Sequence, residues 1–101
     1  MSTTGLQYLL DLESVLEQRK GASTEQSYTA KLYRAGPSRI AQKVGEEAVE
    51  LALASIAGDR GRILAESADL MYHLLVLLRS HDIRLAEVAQ ELSQRQREVP
   101  V

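Results

Sequence analysis

The sequence predicts an all-α domain, and three observations carry that prediction. Sixteen leucines dominate an apolar content of 45%, while Phe and Trp are absent and the 4% of aromatic residues is all tyrosine. A core of Leu, Ile, Val and Ala favours helices over strands. Six Gly and two Pro leave little punctuation for a many-turned β-protein. Apolar residues also recur at helical spacing in four stretches. At 101 residues the chain has room for one domain, taken as 1–101, with a core of modest size.

Leu6, Leu9, Leu10 and Leu16 mark a first helix, with Thr3 or Thr4 as cap and Gly21 as its terminating glycine. Residues 21–36 carry no long apolar period and read as a connector with at most a helical turn around Tyr28 to Leu32. A connector of that length is uncommon unless it binds something. Pro37 suits the first turn of a second helix and Gly58 its end. Asp59 offers the cap of a third helix ending near Ser80 or His81. Asp82 is the candidate cap of a fourth, in which Leu85, Val88, Ala89 and Leu92 predict one buried stripe. The polar tail from Gln94 is expected to fray.

A net charge of −2 leaves no global basic field, so neither nucleic acid nor an anionic membrane is an expected partner. The absence of cysteine excludes a disulfide framework, a thiolate metal site and a cysteine nucleophile. Met1 to Leu10 lacks the pattern of a secretory signal, and the longest apolar run, Leu74 to Leu78, is far too short to span a membrane. A soluble, unprocessed, cytoplasmic chain is expected.

The second and third helices depart from simple amphipathicity. At roughly 100° per residue, Ile40, Ala41, Val44, Ala48, Val49, Leu51, Ala52, Leu53 and Ile56 cover more than half the circumference of the second helix. That helix therefore needs cover on several sides. Its remaining narrow stripe holds Arg39, Lys43, Glu46, Glu47 and Glu50, and a matching stripe on the third helix holds Arg62, Glu66, Asp69 and His73. Five clustered carboxylates repel one another and resist desolvation, so they call for a compensating cation. The spacing E-E-x-x-E, fifteen residues, E-x-x-D places hard oxygen ligands on neighbouring helices, which suits Mg2+ completed by substrate phosphates.

The competing reading is a pair of solvated faces with ion pairs such as Lys43 with Glu47 or Arg62 with Glu66. The narrowness of both stripes and their aliphatic flanks favour the metal site. Gly45, inside a helix, fits close approach of a neighbouring backbone or ligand, or tight helix packing. A di-iron carboxylate site fails for want of Glu-x-x-His, and a zinc protease for want of H-E-x-x-H. His73 is either a phosphate or acid partner or a hydrogen-bonded core histidine, and His81 complements a helix C-terminus. No phosphate-binding glycine loop is present, so Lys31, Arg34, Arg39 and Lys43, just upstream of the acids, are the candidate phosphate partners.

The runs SYTAKLYRAGPSRIAQKVGEEAVELALA (27–54) and ESADLMYHLLVLL (66–78) closely resemble the phosphoribosyl-ATP pyrophosphatase family, over essentially the whole chain. The paired acid motifs alone resemble only the wider MazG and dimeric dUTPase-like superfamily; S-Y-T-A-K-L, G-P and K-V-G-E-E-A narrow the resemblance. It implies a MazG-like helical hairpin that forms a four-helix core by dimerisation. It also implies Mg2+-dependent hydrolysis of phosphoribosyl-ATP to phosphoribosyl-AMP and pyrophosphate, the second step of histidine biosynthesis. The acids corresponding to Glu46, Glu47, Glu50, Glu66 and Asp69 are then the metal set. Among these, Glu46, Glu47 and Glu50 are the catalytic candidates, and Lys31, Arg34, Arg39, Lys43 and His73 the substrate-binding ones. Homodimers or larger homo-oligomers are expected. Many relatives carry a fused cyclohydrolase domain whose metal site uses cysteines, so that step is expected on another protein.

Overall fold

The computed structural model describes residues 5–99, which form five α-helices and, among the described residues, no strand. They are α1 (Gln7–Gln18), α2 (Tyr28–Ala35), α3 (Pro37–Ala57), α4 (Arg60–Ser80) and α5 (Leu85–Glu98). The all-α class stands, with one helix more than the four that periodicity marks. The candidate caps Thr3 and Thr4 lie outside the described residues.

The centre of the fold is the antiparallel hairpin of α3 and α4, which share the largest interface in the chain. Its turn is written in the sequence. Gly58 adopts the left-handed conformation at φ 71° and its N–H bonds back to the Ala54 carbonyl, after which Asp59 Oδ1 accepts the Arg62 N–H at 3.2 Å. At the other end, Pro37 occupies the first turn of α3, and Gly36 holds φ 99°, a backbone conformation that side chains disfavour.

Several expectations are corrected. The stretch 21–36 is mostly helix: Ser27 Oγ accepts the Ala30 N–H at 3.1 Å and starts α2. An eight-residue helix is too short to display a period, so its cap was the readable signal. Gly21 does not terminate α1 in a left-handed conformation; α1 passes into a 3-10 turn over Arg19–Gly21. Asp82 is not a cap. It takes φ 58° in the turn before α5, and Arg84 holds the cap position, its N–H donating to Glu87 Oε2 at 2.9 Å. The helix continues to Glu98, past the expected fraying point. Its predicted stripe is not buried: Leu85 and Val88 are half-buried, Ala89 and Leu92 exposed.

The core sits at one end of the hairpin, where α1 and α2 pack over Leu16, Leu32, Ile40, Leu75 and Val76. Polar contacts fasten this end. Arg79, itself buried, donates to Glu17 Oε1 at 3.0 Å and to the Ile83 carbonyl at 3.0 Å, tying α4 to α1 and to the turn before α5. Hydrogen bonds from Lys20 and then Arg79 hold the Glu17 carboxyl below the ordinary range. Tyr33 donates to the Leu16 carbonyl at 2.9 Å. Burial, with the Glu17 charge adding, pushes its hydroxyl up to about 12. Glu13 accepts the Leu85 N–H at 2.6 Å, so a side chain of α1 satisfies the first amide of α5.

One side of the hairpin is bare along its length. Ala41, Gly45, Ala48, Val49, Ala52, Leu53 and Ile56 fall on one exposed face of α3, and Leu64, Ala68 and Met71 are exposed on α4. Among the described residues no atom outside Gly45's own helical turns lies within 4 Å of a Cβ placed there, so none of them makes the close approach it fits. The radius of gyration, 15.1 Å, exceeds the ~13 Å of a compact chain of this length.

Leu75 is fully buried, so Leu75→Ala should cost about 2–5 kcal/mol in urea unfolding by loss of burial and creation of a cavity. An unchanged midpoint would place the core elsewhere.

Candidate metal centre

The registers of α3 and α4 decide which acids meet. In α3, Glu47 falls on the buried stripe with Ile40 and Ala54, so its carboxylate is carried inward against α4. On α4, Glu66 and Asp69 lie three residues apart and share a face. Glu47, Glu66 and Asp69 each offer an oxygen, and these oxygens all lie within 4.8 Å of one another. Glu47 is buried, Glu66 half-buried and Asp69 exposed, so the group opens to solvent on one side.

The other two predicted acids do not join this group. Glu46 is exposed and accepts from Gln42 Nε2 at 3.0 Å, one turn earlier on its own helix. Glu50 is exposed and has no side-chain partner among the described residues. Both flank Glu47 on the helix surface rather than facing α4.

Charge compensation within the chain is incomplete. The Lys43 ammonium lies 3.7 Å from Glu47 Oε2 and 3.5 Å from Glu46 Oε1. One ammonium thus serves a crowded set of acids: of the two ion pairs offered by the competing solvated-face reading, Lys43 with Glu47 forms, and Arg62 with Glu66 does not among the described residues. Glu66 Oε1 is buried and has no hydrogen-bond partner. A buried oxygen of this kind is costly unless something satisfies it. Three converging carboxylates, one of which carries an unsatisfied buried oxygen, form a donor set that fits a hard divalent cation.

His73 makes the contacts of a hydrogen-bonded, buried histidine. Its Nδ1 lies 2.8 Å from the Asp69 carbonyl, which can only accept, so Nδ1 carries the proton and Nε2 is free to accept from the Tyr28 hydroxyl at 3.4 Å. The ring is buried and packs edge-on against Tyr72 and Tyr28. Tyr72 in turn bonds Thr29, and burial raises its hydroxyl pKa. His73 therefore braces the backbone of Asp69 and docks α2 on α4. Tyr28 and Thr29, which sequence reasoning passed over, follow directly from the Ser27 cap that starts α2.

The basic candidates divide. Lys43 reaches the acids, whereas Lys31 and Arg34 on α2 and Arg39 on α3 are exposed and have no ion-pair partner among the described residues. Two surface hollows, of about 390 and 230 Å3, lie away from the acids, one along α5 at Gln90 and the other between Lys20, Tyr33 and Pro37. No described helix is long and apolar enough to cross a membrane.

The chain also matches known proteins in sequence. Residues 9–96 match the family described as phosphoribosyl-ATP pyrophosphohydrolase. The chain is 52% identical over 87 residues to a phosphoribosyl-ATP pyrophosphatase of Methylobacterium nodulans, covering 86% of this chain and 81% of that protein. It is 53% identical over 90 residues to the histidine biosynthesis bifunctional protein HisIE of Photobacterium profundum, covering 89% of this chain and 44% of the relative. The HisIE of Vibrio cholerae is 53% identical over 88 residues, or 87% of this chain and 42% of its own length. The chain thus spans less than half the length of these bifunctional relatives. With a family match over most of its length and close identity to a relative that it nearly spans, the chain belongs to the phosphoribosyl-ATP pyrophosphohydrolase family.

Proposed function

We propose that this chain is one catalytic domain that hydrolyses phosphoribosyl-ATP at its α–β phosphoanhydride, releasing phosphoribosyl-AMP and pyrophosphate with Mg2+, in the second step of histidine biosynthesis. The observation that carries the reading is the convergence of Glu47, Glu66 and Asp69, with one Glu66 oxygen buried and unpartnered among the described residues, in a chain of this family. The relatives' names supply the substrate, and the donor set supports a hard cation. A biosynthetic role of this kind fits a cytoplasmic location.

Glu47, Glu66 and Asp69 would hold the metal, which supplies charge neutralisation and polarisation at the phosphoryl oxygens. The remaining work falls to the protein's own groups. Glu46 and Glu50, outside the group of three, would complete the metal set when substrate arrives, or one of them would accept the proton of the attacking water. Water forms the new P–O bond, the anhydride P–O bond breaks, and the departing pyrophosphate takes the electron pair. Lys31, Arg34, Arg39 and Lys43 balance its charge. His73 acts indirectly, by holding Asp69 in place.

The same reading includes a second copy of the chain. The exposed aliphatic face of α3, where Val49, Leu53 and Ile56 lie open together with Leu64 and Met71 of α4, is the kind of contiguous apolar surface that marks an interaction site. Self-association into a four-helix core would bury it and close the solvent side of the acid group.

Pyrophosphate release should be fast with phosphoribosyl-ATP and at least ~100-fold slower with ATP or dCTP, where the ribosyl contacts are missing. Glu47→Gln should lower kcat by about 100-fold or more with its helical circular dichroism intact. Comparable rates on plain nucleotides would redirect the substrate assignment, and an active Glu47→Gln protein would remove Glu47 from the site. In sedimentation the protein should run at about twice its 11.2 kDa chain mass, and Leu53→Asp should shift it toward the monomer. A monomeric wild type would contradict the four-helix core.

A further inference from the structure

The acid group contains a cation of its own, and its seat is a loose one. Lys43 Nζ stands 3.5 Å from Glu46 and 3.7 Å from Glu47, within ion-pair range but longer than the ~2.7–2.9 Å of a well-formed charged hydrogen bond. The Lys43 side chain is only 19% exposed and Glu47 9%, so the pair is largely shielded from water. We propose that the Lys43 ammonium is the internal counter-ion of Glu47 in the metal-free protein and is displaced toward the solvent rim when a divalent cation binds. This extends the metal reading given above and rests on it.

Without Lys43, Glu47 would be a mostly buried carboxylate with no cation near it, facing Glu66 and Asp69, which is a strongly unfavourable arrangement. A divalent cation among the same oxygens supplies more charge at shorter range and repels the ammonium. Lysine is suited to withdrawing, because its charge sits on a flexible four-carbon stem and makes no fixed fork of bonds. Lys43 also lies one turn from both partners on the same helix, so displacement needs only side-chain rotation and leaves the ammonium at the rim beside exposed Glu46. There it can meet a substrate phosphate. Lys43 thus opposes metal binding in the free protein and favours substrate in the loaded one.

Calorimetric titration of the full-length protein with Mn2+ tests this without turnover. Lys43→Met should bind Mn2+ about two- to tenfold more tightly than wild type, since no internal cation must be displaced. The gain should persist in about 0.5 M NaCl, where screening leaves only contacts of a few Å. Arg39→Gln, removing an exposed cation one turn away, should change the affinity less than about twofold under that salt. Lys43→Arg, with a charge that forms a tighter fork to carboxylates, should weaken Mn2+ binding. Metal-free Lys43→Met should also melt below wild type, with the gap closing at saturating Mn2+. In turnover, its KM should rise while its metal affinity improves. Equal or weaker Mn2+ binding by Lys43→Met, or an equal gain in Arg39→Gln at high salt, overturns the proposal while leaving the metal reading intact. Failure of the wild-type protein to bind Mn2+ saturably overturns both.

Discussion

Three carboxylates brought within 4.8 Å of one another between two helices set the terms for everything else in this fold. Each like charge raises the cost of the others, and burial removes the water that would otherwise screen them. Folding can accept the arrangement only where partial compensation exists, and here that is one lysine at the edge of the group. The unsatisfied Glu66 oxygen is the remainder of the cost. On the reading proposed above, a hard cation bound there would turn an electrostatic liability into a binding surface for phosphates.

The rest of the chain places those acids accurately. The left-handed Gly58 and the Asp59 cap fix the turn of the α3–α4 hairpin, and with it the alignment that brings position 47 opposite 66 and 69. The packed end, over Leu75 and Val76, anchors the hairpin, while Arg79, Glu17 and Lys20 lock α1 to α4. His73 joins the two functions, because one ring nitrogen holds the Asp69 carbonyl and the other faces Tyr28 of α2. The bare face of α3 is the complement of this economy, since α1 and α2 cover only part of the hairpin.

The hairpin was legible in the sequence because its signals are local: Pro37, Gly58 and Asp59 act within one turn of where they stand. The acids were legible as a set for the same reason, since helical spacing shows which residues share a stripe. It does not show how a helix is rotated toward its neighbour, so the division of Glu47 from Glu46 and Glu50 emerged only with the packing of α3 on α4. The second helix was missed because eight residues carry too little period, and α5 was misjudged because its stripe lacks cover within the chain. Glu13 on Leu85 and Arg79 on Glu17 join residues more than sixty positions apart, a range at which no local pattern operates.

The central claim is that Glu47, Glu66 and Asp69 form one cation site. Anomalous diffraction from crystals grown with Mn2+ tests it most directly. The account predicts a peak between α3 and α4, bonded to oxygens of all three residues at about 2.0–2.3 Å, with Lys43 Nζ withdrawn from Glu47. A peak coordinated only by Glu46 and Glu50, or no peak at the three acids in a well-ordered crystal, would contradict it.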